Sequence, residues 1–241
     1  MKCYLFLLVL LWLPLLLYAQ NAPGIESGLF RLENGTFNST QLMIGRKMPP
    51  PEVKGNYYLY STWQNGQFTL KDGRSSEIYP LRYDLENALL EIQWQPTQVK
   101  VAGENVLKSF IWNNEKLGQT QTFILANTFT LNGTPLAAYV ELLHAAADSL
   151  LLKTEAYIKK PDYVVGLDMG RRGAEIKKRE RYFLCSQSKL YEIKKRKDLL
   201  SLVEIQFRKA LNKYMKSERL RPDSREELLK IWQYYLKLNK S

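Results

Sequence analysis

Tyr57-Tyr-Leu-Tyr-Ser-Thr-Trp-Gln-Asn-Gly-Gln-Phe-Thr-Leu70, YYLYSTWQNGQFTL, sets aromatic and β-branched residues on both sides of Asn65-Gly66. An Asn-Gly pair between β-formers predicts a two-residue hairpin, because a type I′ turn needs positive φ at both central positions. A second turn is expected at Lys71-Asp72-Gly73, and a third at Asp84-Leu-Glu-Asn87, with alternating Ile78–Tyr83 between them. Beyond these come short apolar runs at Ala88–Trp94, Gln98–Ala102, Val106–Trp112, Gln121–Leu125, Pro135–Leu143 and Leu150–Tyr157. Short strands punctuated by turn signals at this spacing predict an antiparallel meander, sandwich or barrel-like β body rather than a parallel α/β fold. The stretch Leu136–Leu152 reads as strand, turn and strand through His144-Ala-Ala-Ala147, and residues 175–185 and 188–194 read as a further hairpin.

The period changes towards the C-terminus. Val203, Phe207, Leu211 and Tyr214 share one face of a helix, with Lys209, Lys213 and Lys216 away from it. Ser224-Arg-Glu-Glu227 supplies a capping box for a last helix whose apolar stripe is Leu228, Ile231, Trp232 and Tyr235. The fold expected is therefore mainly β with about two C-terminal α-helices. Asp198 is a candidate N-cap where the strand Leu190–Ile193 gives way to the helical region.

The other end of the chain reads as an address. Lys2 precedes an apolar run from Leu5 to Leu17 that contains Pro14 and ends near small Ala19. The run is too short for a membrane span and suits a cleaved signal peptide over residues 1–19. Residues 20–54, rich in Asn, Gly, Thr and Pro, then form an extended leader, with one edge strand around Gly28–Leu32. Residues 55–195 form the β body and 196–241 a basic helical region packed on it or appended to it. Of two cysteines, Cys3 leaves with the signal, so Cys185 has no intrachain partner and the fold is not disulfide-stapled.

Charge is lopsided. Residues 153–241 hold 24 Lys and Arg against 12 Asp and Glu, a net of +12, while everything before them is close to neutral. Such asymmetry favours an anionic partner. Two clusters concentrate it, Lys177, Lys178, Arg179 and Arg181, and Lys194, Lys195, Arg196 and Lys197. Arg171 and Arg172 extend the first cluster from a glycine-rich loop, Gly166–Gly173, which precedes a strand rather than the helix that a phosphate-cradling loop needs. These ten residues are the candidate contacts to an anionic lipid surface, an acidic glycan or an envelope protein. Export disfavours nucleic acid.

Catalytic signals are sparse. His144 is the only histidine and has no nucleophile motif beside it, and one His with one Cys cannot complete a zinc site. Asp84 with Glu86, or Glu141 with Asp148, are the carboxylate pairs available to a hydrolase. No cofactor is expected. Asn34, Asn38, Asn132 and Asn239 match the N-glycosylation pattern.

The segment Tyr57–Ile92, the hairpin Val140–Lys153 ending in LLLK, and Tyr182–Leu200 running into KKRKDLL together resemble uncharacterised exported proteins of Gram-negative bacteria. The chain departs from them at His144-Ala-Ala-Ala147, where such hairpins more often carry Gly. The resemblance implies a periplasmic or cell-envelope setting and a bacterial host. That setting weakens the N-glycan reading and makes Asp148-Ser149-Leu150 similar to a short O-glycosylation motif of some such bacteria. It carries no catalytic signature. The expected role is thus non-enzymatic binding or scaffolding in the envelope, and the alternative is a carboxylate-dependent hydrolase acting on envelope glycans.

Overall fold

The computed structural model describes residues 46–115, 118–161 and 173–239. The expected signal peptide, the expected edge strand around Gly28–Leu32, the glycosylation motifs at Asn34 and Asn38, and Arg171 with Arg172 lie outside them. Twelve strands follow in chain order: β1 Gln64–Leu70, β2 Tyr79–Asp84, β3 Leu89–Gln95, β4 Gln98–Ala102, β5 Leu107–Asn114, β6 Gln119–Leu125, β7 Thr130–Leu131, β8 Thr134–Pro135, β9 Tyr139–His144, β10 Ser149–Lys159, β11 Glu175–Ser186 and β12 Lys189–Ile193. Three helices complete the chain: α1 Arg196–Leu202, α2 Ile205–Ser217 and α3 Arg225–Leu238. The protein is mainly β with C-terminal helices, as the sequence predicts.

All strands join one open sheet in the order β4-β3-β2-β1-β5-β6-β9-β10-β11-β12-β7-β8, antiparallel except for the β12–β7 pair. The sheet coils tightly. Tyr139 on β9 donates its backbone N–H to the Tyr83 hydroxyl on β2 at 3.2 Å, although β1, β5 and β6 separate the two strands. The inner face of this curl is aromatic, with Phe68, Tyr83, Phe110, Trp112, Phe123 and Tyr139 all buried. Phe110 and Phe123 stack at 4.7 Å, and Tyr83 and Tyr139 meet edge-on at 5.8 Å.

The same face continues into the second half of the sheet, where Leu150, Leu152, Tyr182, Leu184 and Ile193 pack under the helices against Leu211, Met215, Leu228, Ile231 and Trp232. The helical region is therefore packed on the β body. On the opposite face Val140, Leu151, Phe183, Cys185 and Leu190 bury against Ala126, Phe129, Leu131 and Leu136, which lie in and around the β7–β8 hairpin.

The Asn65-Gly66 hairpin is not formed. Asn65 and Gly66 lie inside β1, paired with Pro80 and Tyr79 of β2, and Gly66 also with Trp112 of β5. The glycine serves close packing: a Cβ there would stand 2.2 Å from the Ile111 carbonyl oxygen and 2.9 Å from the Trp112 Cα. The turn after β1 comes instead at residues 71–73, where Gly73 has a φ of +91°. Residues 85–88 make the expected turn, with Asp84 Oδ1 accepting the N–H groups of Glu86 and Asn87 at 3.1 Å each. The turn after β9 forms without glycine, its chain held by the Ser149 hydroxyl donating to the Ala146 carbonyl at 2.8 Å.

Two helix-start expectations also shift. Lys195 is the N-cap of α1, and Asp198 stands three residues inside it, its Oδ2 accepting the N–H groups of Lys194 at 3.1 Å and Lys195 at 2.8 Å. Ser224 does cap α3, but without a side-chain bond, and Glu227 turns back to the Arg221 N–H at 2.5 Å. Val203 ends α1 rather than opening the next helix, so the predicted stripe spans two elements.

Candidate functional site: a basic ribbon and a polar cleft

Strand β9 pairs with β10 only over Leu150–Leu152, and β12 with β11 only over Tyr182–Ser186. Residues 153–159 and 175–181 therefore continue past the sheet as a two-stranded ribbon, with Lys54 bridging to Glu175 near its far end. Residues 153–160 and 173–181 carry seven basic and three acidic side chains, net +4.

Strand alternation sorts them by face. Lys177, Arg179 and Arg181 share one face with Lys153, Glu155 and Tyr157, their antiparallel partners. Glu155 gathers Lys153 at 2.9 Å, Arg181 at 3.0 Å and Arg179 at 2.8 Å. Arg181 also reaches Glu192 on β12 at 2.8 Å, and Glu192 takes Lys194 at 3.0 Å. The two basic clusters of the sequence are thus one surface, joined through Glu155 and Glu192.

Burial alone would raise the Glu155 carboxyl, but hydrogen bonds from Lys153, Arg181 and Arg179 outweigh it and hold the group down at about 2. The Arg181 guanidinium does the same for Glu192, lowering it against desolvation. Lys194, Arg179 and Lys177 stay largely exposed, at 66%, 61% and 48% of their side chains, and Lys177 pairs with Glu175 at 3.2 Å. Lys195 and Lys197 are exposed beside them at the start of α1, and Arg196 is half-buried.

Lys178 alone leaves this surface. It points to the other face, where its Nζ donates to the Leu59 carbonyl at 3.0 Å and desolvation lowers its pKa. There it borders a second site that sequence reading did not find, a polar seam across the inner face of the sheet. Asn114, Gln121 and Glu141 are 3%, 2% and 3% exposed and stand between the aromatic curl and the helix-covered half. Gln121 Oε1 accepts the Tyr60 hydroxyl at 3.1 Å, the Trp112 indole N–H at 3.1 Å and the Asn114 amide at 2.9 Å. Its own Nε2 donates to Glu141 Oε2 at 2.9 Å. Arg225, in the first turn of α3, closes the seam with Nη1 donating to Glu141 Oε2 at 2.5 Å and Nη2 to Oε1.

A cleft of about 470 Å³ opens over this seam, between the curl, the root of the ribbon and the α3 N-terminus. A second hollow of about 380 Å³ adjoins it, the two sharing Leu59, Tyr60, Asn114 and Lys178 in their walls. One signal for the seam exists in the sequence. In Trp112-x-Asn114, Gln121-x-Phe123 and Tyr139-x-Glu141 each polar residue falls in the buried phase of a strand, which demands a buried partner.

The nominated hydrolase carboxylates do not assemble. Asp84 Oδ2 is occupied by Arg46 at 2.7 Å and Asn87 at 2.8 Å, while Glu86 faces Lys47 at 2.8 Å. Arg46 also binds buried Glu91 at 2.6 Å, which takes Arg82 on its other oxygen at 2.6 Å. Glu141 is claimed by Arg225 and Gln121, and Asp148 lies exposed in the turn after β9. His144 is half-buried, its ring 6.4 Å edge-on from Trp232. Cys185 is buried and free, and desolvation pushes its thiol up, away from the reactive thiolate.

Among the described residues no helix is long and apolar enough to cross a membrane. In comparisons with known proteins, no family model, no curated protein and no solved structure matches the chain.

Proposed function

We propose that the chain is an exported envelope protein with a binding role rather than a catalytic one, and that it contacts an anionic lipid surface through the ribbon and the adjoining Lys194–Lys197 junction. The observation that carries this reading is the shape of the charge. Cations line one face of a two-stranded projection and the junction at its root, and the far end of the projection also exposes Tyr157 on that face, at 40%, and Ile158 on the other, at 41%. Apolar side chains beside exposed cations suit an interface where headgroup charge lies directly above hydrocarbon. Each Lys or Arg near an anionic lipid surface contributes about 1 kcal/mol. Among the described residues, Lys177, Arg179, Lys194, Lys195 and Lys197 are the members of the predicted set exposed on this surface. The envelope setting rests on the signal-like N-terminus and on the resemblance to exported Gram-negative proteins.

The test is co-sedimentation with phosphatidylglycerol vesicles and with phosphatidylcholine vesicles across a salt series. Binding should require the anionic lipid, weaken as salt screens it, and fall in a variant with Lys177, Arg179, Lys194 and Lys197 changed to Ser. Equal binding to both lipids, or no response to the four substitutions, overturns the reading.

A further inference from the structure

The cleft over the polar seam is unrelated to lipid contact, because it lies on the opposite face of the ribbon and its charge has the opposite sign. Among the described residues, Glu115, Glu141, Glu180, Asp223 and Glu226 line the two adjoining hollows against Lys178 and Arg225, a net of −3. Volumes of about 470 and 380 Å³ are in the range of small-molecule sites.

Two features show what chemistry would fit. The first is an aromatic lining. Trp63 borders the outer hollow, one face of its ring taken by the Arg82 guanidinium at 4.4 Å, and Tyr60, edge-on to Trp112 at 5.9 Å, lines both hollows. The second is a dense rim of hydroxyl, amide and carboxylate groups, among them Thr62, Asn65, Asn113 and Ser224. Ser224 makes no side-chain cap bond to α3, which leaves its hydroxyl for the cleft. Arg225, its side chain only 11% exposed, engages Glu141 through both terminal nitrogens while its Nε is buried without a partner.

A pyranose ring offers the complement: a C–H face for an aromatic ring, and edge hydroxyls that both donate and accept. The surplus of carboxylates adds a preference for positive charge. We propose that this cleft binds a short, amine-bearing saccharide, with Trp63 and Tyr60 as the aromatic surface and Glu226, Glu180 and Asp223 drawing the amines.

Calorimetric titration of the purified full chain tests this with three probes: a β-linked glucosamine tetramer, its fully N-acetylated counterpart, and spermine. The glucosamine tetramer should bind saturably, the N-acetylated tetramer about tenfold or more weaker, and spermine weaker still. Trp63→Ala and Glu226→Gln should each weaken the glucosamine tetramer by about tenfold with an unchanged unfolding midpoint. Glu226 is exposed on the first turn of α3, so that variant remains decisive if Trp63→Ala disturbs folding. Absence of saturable binding by the glucosamine tetramer, equal affinity for both tetramers, spermine binding as tightly, or indifference to Glu226→Gln overturns the proposal. Vesicle binding by the Glu226→Gln variant should stay unchanged, which separates this site from the ribbon.

Discussion

The curled half, β1–β6, and the helix-covered half, β9–β12, bury the same face of one sheet by different means. The first seals itself with aromatic rings from strands that coil onto one another, so it needs no second layer. The second presents mostly aliphatic side chains and needs α1–α3 as a lid. Where one solution gives way to the other, neither rings nor helices cover the sheet fully, and that is where Asn114, Gln121, Glu141 and Arg225 collect. A site at a change of packing mode follows from geometry: an aromatic curl and a helical lid that meet on one surface leave a cleft between them.

The largest expected effect breaks the first half. Phe110 is 1% exposed and touches four rings, Phe123 at 4.7 Å, Trp112 at 5.1 Å, Tyr83 at 5.4 Å and Tyr139 at 5.5 Å. Phe110→Ala should cost about 3–5 kcal/mol of unfolding free energy by denaturant titration. Since Tyr83 and Tyr139 close the curl across it, near-ultraviolet circular dichroism should lose intensity with it. Retention of both would mean that the coil is set by the strands and not by the rings.

The join between the halves is tested next. Arg225→Met keeps most of the side-chain volume but leaves Glu141 buried beside Gln121 without its cation. Breaking a buried pair from one side costs about 3 kcal/mol or more. Hydrogen exchange should show the loss concentrated in α3 and β9, with β1–β4 protected as before. Glu141→Leu in the same chain should recover part of the loss, since removing both partners removes the uncompensated charge.

These two regions were not equally legible in the sequence. The aromatic half was readable as strands because its alternation is regular, yet Asn65-Gly66 misled. An Asn-Gly pair signals positive φ, but a glycine, by leaving no side chain on its strand face, also allows close backbone approach, and here the second use won over the first. Local pattern cannot distinguish them, because Trp112 and Ile111, which crowd Gly66, are more than forty residues away in sequence. The helix stripe Val203–Tyr214 began one element too early for a related reason: Phe207, Leu211 and Tyr214 do share one helix, but Val203 closes the helix before it while packing in the same core. The basic clusters were legible as a single surface because antiparallel pairing of neighbouring strands is local in sequence. The seam was not, since Arg225 meets Glu141 across 84 residues and only the out-of-character polar phase of β5, β6 and β9 hinted at it.

A more modest effect checks the role assigned to Gly66. Gly66→Ala places a methyl into the Ile111 carbonyl, so β1 and β5 must part locally. Overpacking of this kind costs about 1–3 kcal/mol. If Gly66 acted instead as a turn residue, Ala would be penalised through its φ, and Asn would then be tolerated better than Ala. The close-approach account expects Gly66→Asn to be worse, because its side chain is larger.

The smallest effect belongs to the ribbon, and it separates the halves by pH. Glu155 is held at about 2 in the folded state by Lys153, Arg181 and Arg179, against an ordinary value of 4.5 in the unfolded chain. A carboxyl with a depressed folded pKa stabilises the fold fully above its unfolded value, and that contribution is lost as pH falls towards the folded one. Stability should therefore decline between about pH 4.5 and pH 2, with Glu192, depressed by Arg181, adding to the slope. The Glu155→Gln variant should show a shallower fall of its thermal midpoint over that window and a lower midpoint at neutral pH. Amide exchange in residues 153–159 and 175–181 should accelerate on acidification before that of β1 and β5, because beyond the sheet each ribbon strand pairs with the other and gains only a short bridge at Lys54 and the Lys178–Leu59 bond. A wild-type slope retained in Glu155→Gln would locate the acid sensitivity elsewhere and leave the Lys153–Arg181–Arg179 cage with no part in stability.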